Sequence, residues 1–127
     1  MKLRCTHNSI RLRVRKSDLG RLKQAGTVSE TVNFGQQTAF GFALKIDRQT
    51  NAITATYHQG TITVSLPQAQ AEQWMTSNQV GLETTAELTN GEQLHLLVEK
   101  DFPCIDRDNE DKSDTFWELA QDEPEAC

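Results

Sequence analysis

The chain has 127 residues, 36% of them hydrophobic, and a net charge of −5 at neutral pH. That length suits one domain able to bury about two-thirds of its unfolded surface, and every apolar run is far shorter than the roughly 20 residues of a membrane-spanning helix. Lys2 and Arg4 are not followed by the apolar core of a signal peptide, and three cysteines without paired spacing (Cys5, Cys104, Cys127) point to a reducing cytoplasm.

Met1 to Cys5 reads as a short strand, and Thr6-His7-Asn8 as a turn, because Asn tolerates the left-handed backbone of a tight reversal. In Ser9 to Lys16, Ile10, Leu12 and Val14 alternate with Arg11, Arg13 and Arg15, the pattern of a half-buried strand. Ser17 stands where an N-cap belongs, Leu19, Leu22 and Ala25 form a helical stripe, and Gly26 suits the residue after the helix. Val28, Val32 and Phe34 return to strand periodicity, Gln36-Gln37 turns the chain, and Phe40, Phe42, Leu44 and Ile46 line another strand face. Gly41 and Ala43 on the opposite face leave room for a close neighbour.

Ile53, Ala55 and Tyr57 make the next strand, closed by His58-Gln59-Gly60. Ile62, Val64 and Leu66 follow as a strand; Pro67 suits the first position of a helix carrying Trp74 and Met75, which Asn78 would end as Gly26 ends the first. Val80 and Leu82 open a strand, Asn90-Gly91 is the strongest hairpin signal in the chain, and Leu94, Leu96 and Val98 complete the return. A slide of 52 positions sets Ile10 on Ile62, Leu12 on Val64, Val14 on Leu66, Leu22 on Trp74 and Leu44 on Leu96. The expected fold is therefore α+β: a mostly antiparallel, strongly bent sheet or barrel with two short helices. It would be built from two strand–helix–strand–strand units, residues 9–57 and 61–100, related by an approximate twofold. Residues 1–101 form the domain, and residues 102–127 an acidic tail pinned back by Phe116, Trp117 and Leu119 and frayed at its end.

Charge is divided along the chain. Residues 1–25 carry eight bases against one acid, whereas Glu99 to Cys127 holds eleven acids against three bases. Opposite ends of this size attract within a monomer or across a symmetric homodimer. Arg11, Arg13 and Arg15 would stand about 7 Å apart on one strand face, as forks suited to phosphate or carboxylate. Their partner would be an anionic small molecule, or else the acids of neighbouring strands (Glu30, Glu83, Glu87, Glu99) or of the tail. The overall acidity and the lack of interleaved aromatic residues argue against nucleic acid.

The acids from Asp106 to Asp114 fail as a calcium loop, since Asp111 stands where Gly is required and Trp117 where the closing Glu belongs. Cys104 with His95 or His7 would make a thiolate–imidazole pair, and Cys5, His7, His58, His95 and Cys104 are the metal-ligating types present. None of these has a diagnostic spacing. No Walker loop, G-x-G-x-x-G, G-x-S-x-G or C-x-x-C occurs, so no cofactor and no metal are expected.

The opening Lys2 to Arg13 (K-L-R-C-T-H-N-S-I-R-L-R), the segment Val98 to Cys104 (V-E-K-D-F-P-C) and the run Asn109 to Asp114 resemble the end motifs of a family of short bacterial proteins of uncharacterised function. The resemblance implies that Asn8, Arg11, Arg13, Glu99, Lys100, Asp101, Cys104 and Asp114 occupy its motif positions. Cys5-Thr6-His7 departs from that pattern. Two functions follow: a non-enzymatic binding domain, with Arg11, Arg13, Arg15, Glu99, Lys100, Asp101 and Cys104 at its site, or a small enzyme that clamps an anionic substrate with Arg and uses Cys104 or the carboxylates for chemistry.

Overall fold

The structure, a computed structural model, describes residues 1–103, 113–116 and 118–119. Ten elements follow in chain order: β1 (Lys2–Thr6), β2 (Ser9–Val14), α1 (Lys16–Ala25), β3 (Thr27–Gly35), β4 (Thr38–Asp47), β5 (Thr54–His58), β6 (Thr61–Pro67), α2 (Gln68–Thr76), β7 (Gly81–Glu87) and β8 (Gln93–Lys100). The order strand–strand–helix–strand–strand thus runs twice.

Local chemistry fixes the hairpins. His7 and Asn8 (φ 48° and 58°), Gln36 and Gln37 (51° and 62°), and Gln59 and Gly60 (50° and 77°) are two-residue turns held in the left-handed region. That twist suits antiparallel partners, so β1–β2, β3–β4 and β5–β6 pair as hairpins, β3–β4 with a register shift between Asn33 and Gly35. Helix α1 begins two residues earlier than an N-cap at Ser17 predicts. Arg15 is its N-cap, and the Asp18 carboxylate, in the first turn, accepts the Arg15 backbone N–H at 3.0 Å. Gly26 ends it as expected: at φ 75° its N–H donates to the Leu22 carbonyl. Pro67 is the last residue of β6 and the N-cap of α2 rather than its first helical residue, and extended Ser77, not Asn78, caps the other end.

The barrel expectation fails. The strands form two separate four-stranded sheets, ordered β1-β2-β8-β7 and β3-β4-β6-β5. Each half sends its first hairpin to one sheet and its second hairpin to the other, because a helix carries the chain across between them. In each sheet the central pair, β2–β8 or β4–β6, is parallel, and the flanking pairs are antiparallel. Both sheets are therefore mixed, and among the described residues no strand joins their edges into a barrel.

The alternating apolar residues of both sheets meet the helices in one core. Leu12, Leu22, Leu44, Leu66 and Trp74 have no exposed surface, and Val64, Leu96 and Val98 have almost none. The Trp74 indole N–H donates to the Val80 carbonyl at 3.0 Å, tying α2 to the start of β7. Among the described residues no helix is long and apolar enough to cross a membrane.

Candidate functional site

The inward side chains of β2 and β8 are committed to the core, so their alternate residues face outward. The two-residue turn at His7-Asn8 sets Lys2 opposite Arg13 and Arg4 opposite Arg11. Four bases therefore share two adjoining strands, and like charges directly opposed repel. The third strand supplies the remedy: β8 runs parallel to β2 and sets Glu99 beside Arg13.

Glu99 is 7% exposed. Its Oε1 accepts from Arg11 Nε at 2.7 Å, lies in an ion pair with Arg11 Nη2, and stands 3.1 Å from Arg13 Nε. Just past the strand, the Asp101 backbone N–H donates to the Val14 carbonyl. This fixes its carboxylate 3.0 Å from Lys2 Nζ and 3.6 Å from Arg13 Nε. The hydrogen bond from Lys2 lowers the Asp101 pKa below the ordinary carboxylate value against the opposing effect of burial, with further help from the charges of Lys2, Arg13 and Arg15. Phe102 completes the site, with the Arg13 guanidinium 5.0 Å from its ring centroid.

One feature of Arg13 stands apart. Its Nη2 is buried and donates to nothing among the described residues, and its Nε meets Glu99 as an ion pair without hydrogen-bond alignment. A fork so held has donor capacity to spare, whereas a buried polar group is ordinarily satisfied.

Of the residues expected at the site, Arg11, Arg13, Glu99 and Asp101 come together. Arg15 leaves the strand to cap α1 and lies 3.5 Å from Asp18, with its side chain 58% exposed. Lys100 is set apart too, since it follows the strand alternation to the other face and its Nζ donates to the Ser77 carbonyl at 2.7 Å. Cys104, with Asp106, Asp108, Glu110 and Asp111, lies outside the described residues. Two of the other acids serve other partners: Glu30 takes the Met1 α-amino group at 2.6 Å, and Glu83 pairs with His95. Among the described residues no three His, Cys, Asp or Glu side chains are placed to hold a metal ion, and Cys5 is an exposed free thiol.

Lys2, Arg4, Phe102 and Gly81 were not singled out by the sequence. The first two were legible in principle, because a two-residue turn fixes which residues of β1 oppose Arg11 and Arg13. Gly81 pairs with Glu99 across β7–β8. A Cβ there would lie 2.9 Å from the Val98 carbonyl oxygen and 3.2 Å from Glu99 Cβ. Gly81→Val is accordingly expected to cost about 1–3 kcal/mol by overpacking and to shift Glu99. Urea unfolding reads the first effect, and the Arg11 side-chain Nε–H resonance reads the second.

These features define a class: an α+β domain of two mixed four-stranded sheets, one with an outward cluster of Arg, Lys and carboxylate groups. The chain belongs to DUF7009, a family of unknown function whose model matches residues 1–119. No curated protein and no solved structure matches it.

Proposed function

We propose that the protein is a non-enzymatic binding domain whose ligand-recognition surface is the outer face of β1, β2 and β8. Its ligand is an anion with several oxygens, of the kind found on phosphorylated small molecules. Among the described residues, Lys2, Arg11 and Arg13 outnumber Glu99 and Asp101 on this face, although the chain as a whole is acidic. The carboxylates hold the guanidinium planes in place beforehand, which lowers the ordering cost of binding. The observation that carries the reading is Arg13 Nη2, buried and without an acceptor among the described residues. Phosphate or carboxylate oxygen is the acceptor that Arg forks match best.

The two halves are read as one unit used twice. In support, β1 and β5, β2 and β6, and α1 and α2 all start 52 residues apart. The paired sheets then follow from exchange of hairpins between like units. Only the first unit carries the Arg row; Thr63 and Ser65 occupy the positions of β6 that correspond to Arg11 and Arg13. Recognition would therefore have developed on one copy of a symmetric frame.

Thermal unfolding with tripolyphosphate, nucleotides and inorganic phosphate tests the binding reading. A polyanion should raise the melting temperature by mass action. Arg13→Lys, which keeps the charge and discards the fork, should weaken binding by about tenfold or more. An equal response in the wild type and this variant would contradict the assignment.

A further inference from the structure

Each sheet has two edge strands, and three of the four edges are blunted. β1 and β5 are five residues long, β1 carries Lys2 and Arg4, and β7 carries Glu83 and Glu87. Short length and charge are devices by which sheet edges avoid pairing with another chain. β3 is different. Its nine residues contain no proline and no base, and its one charged residue, Glu30, already takes the Met1 α-amino group. The register shift between Asn33 and Gly35 falls at the turn end and leaves the ladder from Thr27 to Asn33 regular.

The free side of this strand offers two kinds of contact. In an antiparallel pair every second residue turns its N–H and C=O away from its partner. On β3 none of these outward groups finds a backbone partner among the described residues. Val32 is 46% exposed and Phe34 68% exposed. Val32 shares a strand face with buried Val28 but lies beyond the core, opposite half-buried Phe40 of β4. The edge thus joins an open hydrogen-bond row to exposed apolar side chains, the combination that an added strand covers.

We propose that β3 pairs with β3 of a second copy, antiparallel about a twofold axis, so that two four-stranded sheets become one continuous sheet. Pairing centred on Thr31 sets that residue opposite its own counterpart, Glu30 opposite Val32 and Ser29 opposite Asn33. No like charges then face one another, because the one acid of the strand lies off the axis. The second copy is the occupant for a reason of number. A long edge with so little charge is a template for aggregation unless it is covered in every molecule. Another copy of the chain is the partner present in equal amount, and an isologous contact uses both edges and stops at two. The inference does not depend on ligand binding at the Arg face, which belongs to the other sheet.

Light scattering on the full chain, from micromolar to near-millimolar concentration, reads the dimer, and amide hydrogen exchange over the same range locates it. The expected result is a mass that rises to twice the monomer, with exchange slowed in β3 and unchanged in β1, β5 and β7. Thr31→Lys and Thr31→Glu should each raise the dissociation constant at least tenfold, because the axis sets like charges face to face. Thr31 is exposed, so neither substitution threatens the core. Mixed together, the two variants should associate again, since opposite charges then meet at the axis. A monomer at every concentration would overturn the proposal, as would a mass that grows past two chains. A dimer that withstands both substitutions, variants that stay apart when mixed, or slowed amides on another edge would overturn it equally.

Discussion

Glu99→Ala should lower the unfolding free energy by about 3–5 kcal/mol, the range for removing one partner of a buried charge cluster. Glu99 is buried, and it is shared by Arg11 and Arg13, whose side chains are only 21% and 12% exposed. The lost contacts are the smaller part of the cost. Without Glu99, two guanidinium groups stand side by side near Lys2 on the next strand, with Asp101 the remaining carboxylate paired with them among the described residues. Adding salt should return part of the lost stability by screening that repulsion. Replacing Arg11, Arg13 and Glu99 together by apolar residues of similar size should be close to neutral, because the desolvation cost leaves with the charges. Urea unfolding of the single and triple variants checks both statements. Equal destabilisation of the two would show that the cluster acts by packing alone.

Asp18→Ala should cost a similar amount, about 3–5 kcal/mol, through a different contact set. Asp18 has no exposed surface. Its Oδ2 accepts the Arg15 backbone N–H at 3.0 Å and lies 2.8 Å from the Met1 α-ammonium. Removing it leaves that buried ammonium with Glu30, a half-exposed partner, and leaves the first turn of α1 without its cap. Burial by itself would raise the Asp18 pKa, but the hydrogen bonds and charges of the α-ammonium and Arg15 outweigh it and hold the carboxylate below its ordinary value. Asp101 is lowered as well. A depressed folded-state pKa means stability that is complete above the unfolded value, about 3.9 for Asp. It is lost as pH falls through the lower folded value. Acid unfolding of the wild type should therefore steepen below about pH 4, and Asp18→Asn should flatten that dependence while lowering stability near neutrality. Thermal melts between these pH values provide the measurement.

The elements were legible where one face was apolar. The alternations at Ile10–Val14, Phe40–Ile46 and Ile62–Leu66 gave strands at those places, and Gly26 marked the end of α1. How the hairpins combine was not legible. Leu12 pairs beside Val98, and Leu44 beside Val64, in parallel contacts that local periodicity does not encode. The barrel expectation has the same origin, because strand number and alternation are alike for one bent sheet and two separate ones. At the site, Arg11 and Arg13 announced themselves by alternating with core residues, and Glu99 and Asp101 by their place after a buried strand. Arg15 looked like a third member because the strand pattern runs into the helix cap without a visible break. Asp18 read only as a charge favourable to the helix dipole, since its partner, the α-amino group of Met1, comes near only in the folded chain.

Backbone and arginine side-chain NMR of the uniformly labelled protein, titrated with tripolyphosphate, tests the binding assignment most directly. Saturable shifts at Lys2, Arg11, Arg13 and Phe102, largest at the Arg13 guanidinium, are the predicted result. Absence of shifts at saturating ligand, or shifts confined to residues outside β1, β2, β8 and Phe102, would contradict it.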